Sequence, residues 1–101
     1  MKTYEVIWTL QAILSLRVVY DFIKEESPEG AKNVVTELVS LGNSLSALPF
    51  RYPIEPLLAK EPVVYRCAVK WNYKVIYTID EQNVMIVKVF DTRRNPKELK
   101  I

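Results

Sequence analysis

Residues 63–90 read VVYRCAVKWNYKVIYTIDEQNVMIVKVF, and this stretch decides the fold. Its side chains alternate with a period of two, as strands with two distinct faces require. The segments Lys70-Trp71-Asn72-Tyr73 and Asp80-Glu81-Gln82-Asn83 interrupt it. They leave three runs, Val63–Val69, Lys74–Ile79 and Val84–Phe90, and loops this short join antiparallel neighbours. The stretch therefore predicts a three-stranded meander.

Burial predicts the register, because a slip of one residue turns every side chain to the other face. With Lys70, Trp71 and Asn72 as a three-residue turn, Ala68 faces Lys74. One face then carries Tyr65, Cys67, Val69, Val75, Tyr77 and Ile79, joined by Met85, Val87 and Val89. The other carries Arg66, Ala68, Lys74, Ile76, Thr78, Ile86 and Lys88. A two-residue turn would set Lys74 beside Val69, and burying an ammonium there without a partner costs several kcal/mol. The expectation is an apolar face under helices and an open face that is basic and partly apolar, a combination that marks a binding surface.

Upstream of the stretch the period changes. Tyr4-Glu5-Val6-Ile7-Trp8 reads as a strand. Thr9 is placed to cap a helix running from Leu10 to about Lys24, with Leu16, Val19, Tyr20 and Ile23 on one stripe. Ser27 and Pro28 open a second helix, whose stripe is Ala31, Val34, Val35, Leu38, Leu41 and Leu45, and which ends at Gly42 and Pro49. Prolines 53, 56 and 62 make the segment 50–62 a loop back to the sheet. The fold class is thus α+β: an N-terminal strand, then a two-helix hairpin packed on one face of a small antiparallel sheet.

With 101 residues, a single domain spanning 1–101 is expected. The chain has no histidine and one cysteine, so neither a zinc site nor an internal disulfide is expected, and a reducing cytoplasm fits. No apolar run approaches the roughly 20 residues of a membrane span, and the opening Met1-Lys2-Thr3-Tyr4-Glu5 does not read as a secretory signal. Charge is uneven. Residues 1–50 carry four Lys/Arg against six Asp/Glu, and residues 51–101 carry ten against six, which points to an anionic partner for the second half.

Three segments carry a resemblance to a known family. Val64-Tyr65-Arg66 followed by Asn72-Tyr73-Lys74-Val75-Ile76-Tyr77 is similar to the aromatic-basic strand pair of the RelE/ParE superfamily of toxins. Val84–Val89 resembles that family's last apolar strand, and Val89-Phe90-Asp91-Thr92-Arg93-Arg94-Asn95-Pro96 its common ending. The resemblance implies the toxin of a type II toxin–antitoxin pair, neutralised by an antitoxin encoded by an adjacent gene. The action read from it is that of a ribosome-dependent endoribonuclease that cuts messenger RNA and arrests translation, with ParE-like inhibition of DNA gyrase without catalysis as the alternative. A degenerate toxin that only binds antitoxin is a further alternative.

In the nuclease reading, which the residues are first set against, the substrate's 2′-hydroxyl attacks the phosphate and cations stabilise the charge that develops. The resemblance places Arg66, Lys74 and Arg93 in that role and Asp91 as a candidate base. Lys70, Trp71, Lys88 and Arg94 are candidate contacts to RNA or a partner. The chain departs from the family in having Ala68 at a frequent lysine position, Asp91 in place of a histidine, and no tyrosine in the tail. A carboxylate needs a raised pKa to act as a base near neutrality, so the competing role for Asp91, a structural partner to Arg93 or Arg94, is the favoured one. Tyr65 and Tyr77 read as packing residues and Cys67 as a small buried hydrophobe. No cofactor, metal or membrane is expected.

Overall fold

A computed structural model of the chain describes residues 3–101. The chain runs β1 (Glu5–Trp8), α1 (Leu10–Lys24), α2 (Pro28–Asn43), β2 (Arg66–Lys70), β3 (Tyr73–Asp80) and β4 (Asn83–Asp91), with short 3-10 turns in the loop 44–58 and at Pro96–Glu98. Both helices start where capping chemistry places them. The Thr9 hydroxyl accepts from the Ala12 N–H and the Ser27 hydroxyl from the Gly30 N–H, with Pro28 in the first helical turn.

The sheet order is β1-β4-β3-β2. β2, β3 and β4 form the expected antiparallel meander, and β1 adds to β4 in parallel, making the four-stranded sheet mixed. α1 and α2 cover one face. Their Ala12, Leu16, Val19 and Leu38 pack with Ala68, Tyr73, Val75, Tyr77, Val84, Ile86 and Val89. Gly42 of α2 admits the Trp8 indole, whose ring occupies the space a Cβ there would need.

The register differs from the one expected. Lys70 pairs with Tyr73, so the turn has two residues, Trp71 and Asn72, and Val69 rather than Ala68 faces Lys74. Trp71 takes a φ of 53°, the positive value that primed hairpin turns need at their first loop position. Ala68 therefore enters the helix-side core, while Val69 stays 54% exposed. Arg66 and Ile86 also change face, both pairing with the buried Tyr77. In β4 a bulge opposite Ile76/Tyr77 leaves Val87 unpaired, so Val84, Ile86 and Val89 turn inward instead of Met85, Val87 and Val89.

The second sheet face is not open either. Leu58 from the loop and Leu99 from the tail close over Cys67, Ile76 and Phe90 as a second apolar cluster. Lys74 lies on this face and is accommodated by a carboxylate rather than by water: its Nζ is 2.6 Å from Oε1 of the fully buried Glu55. The desolvation that disfavoured a two-residue turn is thus offset by an ion pair from a loop distant in sequence.

Tyr77 fastens the loop from the helix side, donating its hydroxyl to the Pro49 carbonyl at 2.6 Å. Burial pushes this phenol from 10.0 up to about 12. The folded state favours the protonated form, so the stability this adds is whole below pH 10 and lost as pH rises towards 12. Urea midpoints should accordingly fall across that window. Tyr77→Phe should lose about 1 kcal/mol at neutral pH and show a smaller alkaline decline. An unchanged decline in Tyr77→Phe would rule Tyr77 out as its source.

Candidate functional site

The cations nominated from the sequence are each positioned by a different part of the fold. Arg66 begins β2, on the helix side, where the chain runs beside the loop 50–55. Its Nη1 donates to the Tyr52 carbonyl at 2.7 Å, and its guanidinium stands 5.3 Å from the Phe50 ring centre. Lys74 is on the opposite face, held by Glu55, whose other oxygen accepts from the Leu57 N–H at 2.8 Å and caps the turn there. Glu55 is a partner the sequence reading missed. It sits in a proline-rich loop with no periodicity to show which way it points.

Asp91 and Arg93 form a clasp where β4 ends. Asp91 accepts from Nε and Nη2 of Arg93 at 3.1 and 2.9 Å, from the Arg93 N–H at 2.9 Å and from Asn72 Nδ2 at 3.1 Å. Hydrogen bonds from Arg93 hold the carboxyl at about 2, well below its ordinary value. Such a group is a weak base at neutral pH. The structural partnership is therefore the role that the geometry displays for Asp91.

These groups do not converge. Arg66 shares a row with Tyr77 and Asp91 a row with Tyr73, four residues along β3 and so roughly 13 Å apart. Lys74 is on the far side of the sheet. Of the other candidates, Lys70 meets Glu37 of α2 at 2.9 Å and lies 5.0 Å from the Trp71 ring centre. Lys88 donates to the Lys100 carbonyl at 3.2 Å, and Arg94 pairs with Glu98 at 3.0 Å. Cys67 is buried, and burial raises its thiol pKa. Among the described residues, no three His, Cys, Asp or Glu side chains gather as metal ligands, and no helix is long and apolar enough to cross a membrane.

What does converge is a groove of about 760 Å³ between α1 and the end of β4. Leu14, Val18 and Phe22 form one wall and Tyr73 and Val89 belong to its lining, with Lys88, Arg93 and Arg94 also there. Its framework is fixed: the Val89 N–H donates to Ser15 Oγ at 2.8 Å, tying α1 to β4. The groove wall was missed although it is written in the sequence. Leu10, Leu14, Val18 and Phe22 recur every four residues, beside the buried stripe, and all stay more than half exposed.

Residues 6–96 match the family model described as the ParE toxin of the type II toxin–antitoxin system parDE. Among solved structures, the chain is similar to one from the chromosomal ParDE toxin–antitoxin system of P. aeruginosa, with a TM-score of 0.70 and 19% identity over 86% of this chain and 94% of that one. It is also similar to a chain of the toxin–antitoxin complex RelBE2 from Mycobacterium tuberculosis, with a TM-score of 0.63 and 24% identity over 90% of this chain and 93% of that one. At these identities the structural likeness bears on the fold. No curated protein sequence matches significantly.

Proposed function

The chain belongs to the ParE toxin family of type II toxin–antitoxin systems, and from that premise we propose that it arrests growth by binding its target rather than by cutting RNA. The target is DNA gyrase, the one that the resemblance to ParE-like toxins implies. Its antidote is an antitoxin encoded by the adjacent reading frame, and toxin, target and antitoxin meet in the cytoplasm.

One observation carries this reading: the cations a nuclease would need are dispersed and internally engaged. Electrostatic catalysis at a phosphate requires donors preorganised around one point. Here Arg66 holds loop carbonyls, Lys74 serves a buried carboxylate on the other face, and Arg93 is clasped by the group that would be its base. Asp91, pulled down to about 2, supports the same view. The ribosome-dependent nuclease stays the second reading because the Arg93 side chain, though paired with the largely buried Asp91, is 60% exposed on the groove, where a phosphate can reach it.

Induction of the chain in bacteria is the test. Growth should stop, a DNA-damage response should follow, and the ends of cellular transcripts should map as in uninduced cells. Co-expression of the adjacent small reading frame should restore growth. Discrete cuts within translated messages, without DNA damage, would overturn the binding mechanism in favour of the nuclease. Unimpaired growth would mark a degenerate toxin.

A further inference from the structure

We infer that the knuckle Leu48-Pro49-Phe50, in the loop between α2 and β2, is the surface that docks the target, entering an apolar pocket rimmed by carboxylates. This rests on reading the chain as an inhibitor that binds gyrase, and it gives that reading a place on the molecule. Leu48 is 66% exposed and Phe50 58%, while Pro49 between them is fully buried. Leu48 also holds a φ of 50°, a left-handed conformation that a leucine keeps only where its surroundings enforce it.

Contacts from several elements enforce it. The Tyr77 hydroxyl of β3 donates to the Pro49 carbonyl at 2.6 Å. Arg51 Nη1 donates to the Ala47 carbonyl and, at 3.1 Å, to the Leu48 carbonyl. Phe50 stands edge-on to the Tyr4 ring with 6.3 Å between centres, and the Arg66 guanidinium of β2 lies 5.3 Å from its own ring centre. The loop is thus strained, pinned, and still turns two large apolar side chains to water. A rigid apolar anchor loses little freedom on docking, which is the property of a binding hot spot.

Shape and charge specify the occupant. Leu48 and Phe50 line neither the groove beside α1 nor the cleft beside Trp71. They project, so the partner supplies the cavity, as a folded protein does and a single helix or strand does not. Ile54, 51% exposed, pairs with Arg66 and extends the apolar surface along the start of β2. Arg51 and Arg66 flank it, and among the described residues neither is paired with a carboxylate, since both hold backbone carbonyls. Both guanidiniums also lie against rings, of Tyr52 and Phe50, rather than standing foremost as cations do at a phosphate backbone. The complement is therefore a protein pocket, apolar within and acidic at its rim. Arg66 shares its row with Tyr77, roughly 13 Å along β3 from Tyr73 at the groove, so a partner on the knuckle leaves the groove free.

The probe is purified gyrase on relaxed plasmid, challenged with wild type, Leu48→Asn, Leu48→Gly, or the control Val69→Gln at a residue 54% exposed towards the other end of β2. Asparagine and glycine both accept a positive φ. The two Leu48 variants should therefore melt no lower than wild type, and should bind the polypeptide of the adjacent reading frame as wild type does. Each should need a roughly 30-fold or higher concentration to stop supercoiling, the loss of one hot-spot anchor. Val69→Gln should stay within about twofold of wild type, and an equal loss there would overturn the inference. Full inhibition by both Leu48 variants overturns the inference alone and leaves the gyrase reading intact. Absence of inhibition by wild type overturns both. Leu48 variants that also lose the polypeptide assign the knuckle to that partner, and a wild-type dimer that they make monomeric assigns it to a second copy of the chain; either result overturns the inference.

Discussion

Lys74→Met should destabilise the protein by about 3–5 kcal/mol, because it leaves the buried Glu55 carboxylate without a counter-charge. Glu55 is wholly inaccessible to water, and its remaining partners, the Leu57 N–H and the Cys67 thiol, carry no charge. A domain of this size is stable by only about 5–15 kcal/mol, so the melting temperature should drop by on the order of 15–30 °C. The double variant Glu55→Gln/Lys74→Met removes both charges and should recover most of that loss, since an amide can still accept from Leu57. The same pair of variants separates structure from catalysis. If Lys74 is a structural residue, growth arrest should return with stability in the double variant. If Lys74 stabilises a scissile phosphate, the double variant should fold and remain inactive.

Gly42→Ala should also be strongly unfavourable, against the usual trend. Within a helix, replacing glycine by alanine ordinarily gains up to about 1 kcal/mol. At Gly42 the added Cβ would overlap the Trp8 ring and sit 2.8 Å from Ile86 Cδ1, closer than such contacts allow. The indole cannot swing freely, since its Nε1 donates to Asn43 Oδ1 at 2.9 Å and β1 is paired along its length with β4. Overpacking of this kind costs about 1–3 kcal/mol, so chemical denaturation should show a net loss. Trp8→Phe/Gly42→Ala should be more stable than Gly42→Ala alone. A gain in stability from Gly42→Ala by itself would show that β1 yields easily.

The helices were readable in the sequence because caps and periodicity agree there. Thr9, Ser27 and Pro28 fix their starts, and Leu16, Val19 and Leu38 lie on the stripes that become buried. The meander was readable for the same reason. The face assignment in β2 was not, because Cys67, Ala68 and Val69 are all apolar and alternation carries no sign. Lys74 misled: the cost of burying its ammonium argued against a two-residue turn, and the carboxylate that offsets it, Glu55, lies in a loop distant in sequence. A bulge leaves no mark in a run as apolar as Val84–Val89, so the expected inward set of β4 holds at Val89 and fails on the other side of the bulge, where Val84 and Ile86 turn inward.

The candidate site was readable as a set of residue types and unreadable as a place. Arg66, Lys74 and Arg93 are cations near strands whatever their function. Their meaning came from partners that periodicity does not reveal: the Tyr52 carbonyl, Glu55, and a clasp by Asp91. The ridge on α1 was the converse case. Its four-residue spacing was present in the sequence, but a second apolar stripe on a helix is recognised as surplus only when the first is seen to fill the core.

Mixing the purified chain in parallel with DNA gyrase on relaxed plasmid and with programmed ribosomes carrying messenger RNA tests the mechanism most directly. Supercoiling should be lost and gyrase–DNA cleavage complexes should accumulate, with the message intact. A message cut on the ribosome by wild type, with supercoiling at its normal rate, would contradict inhibition by binding and restore Arg93 and Arg66 as catalytic cations.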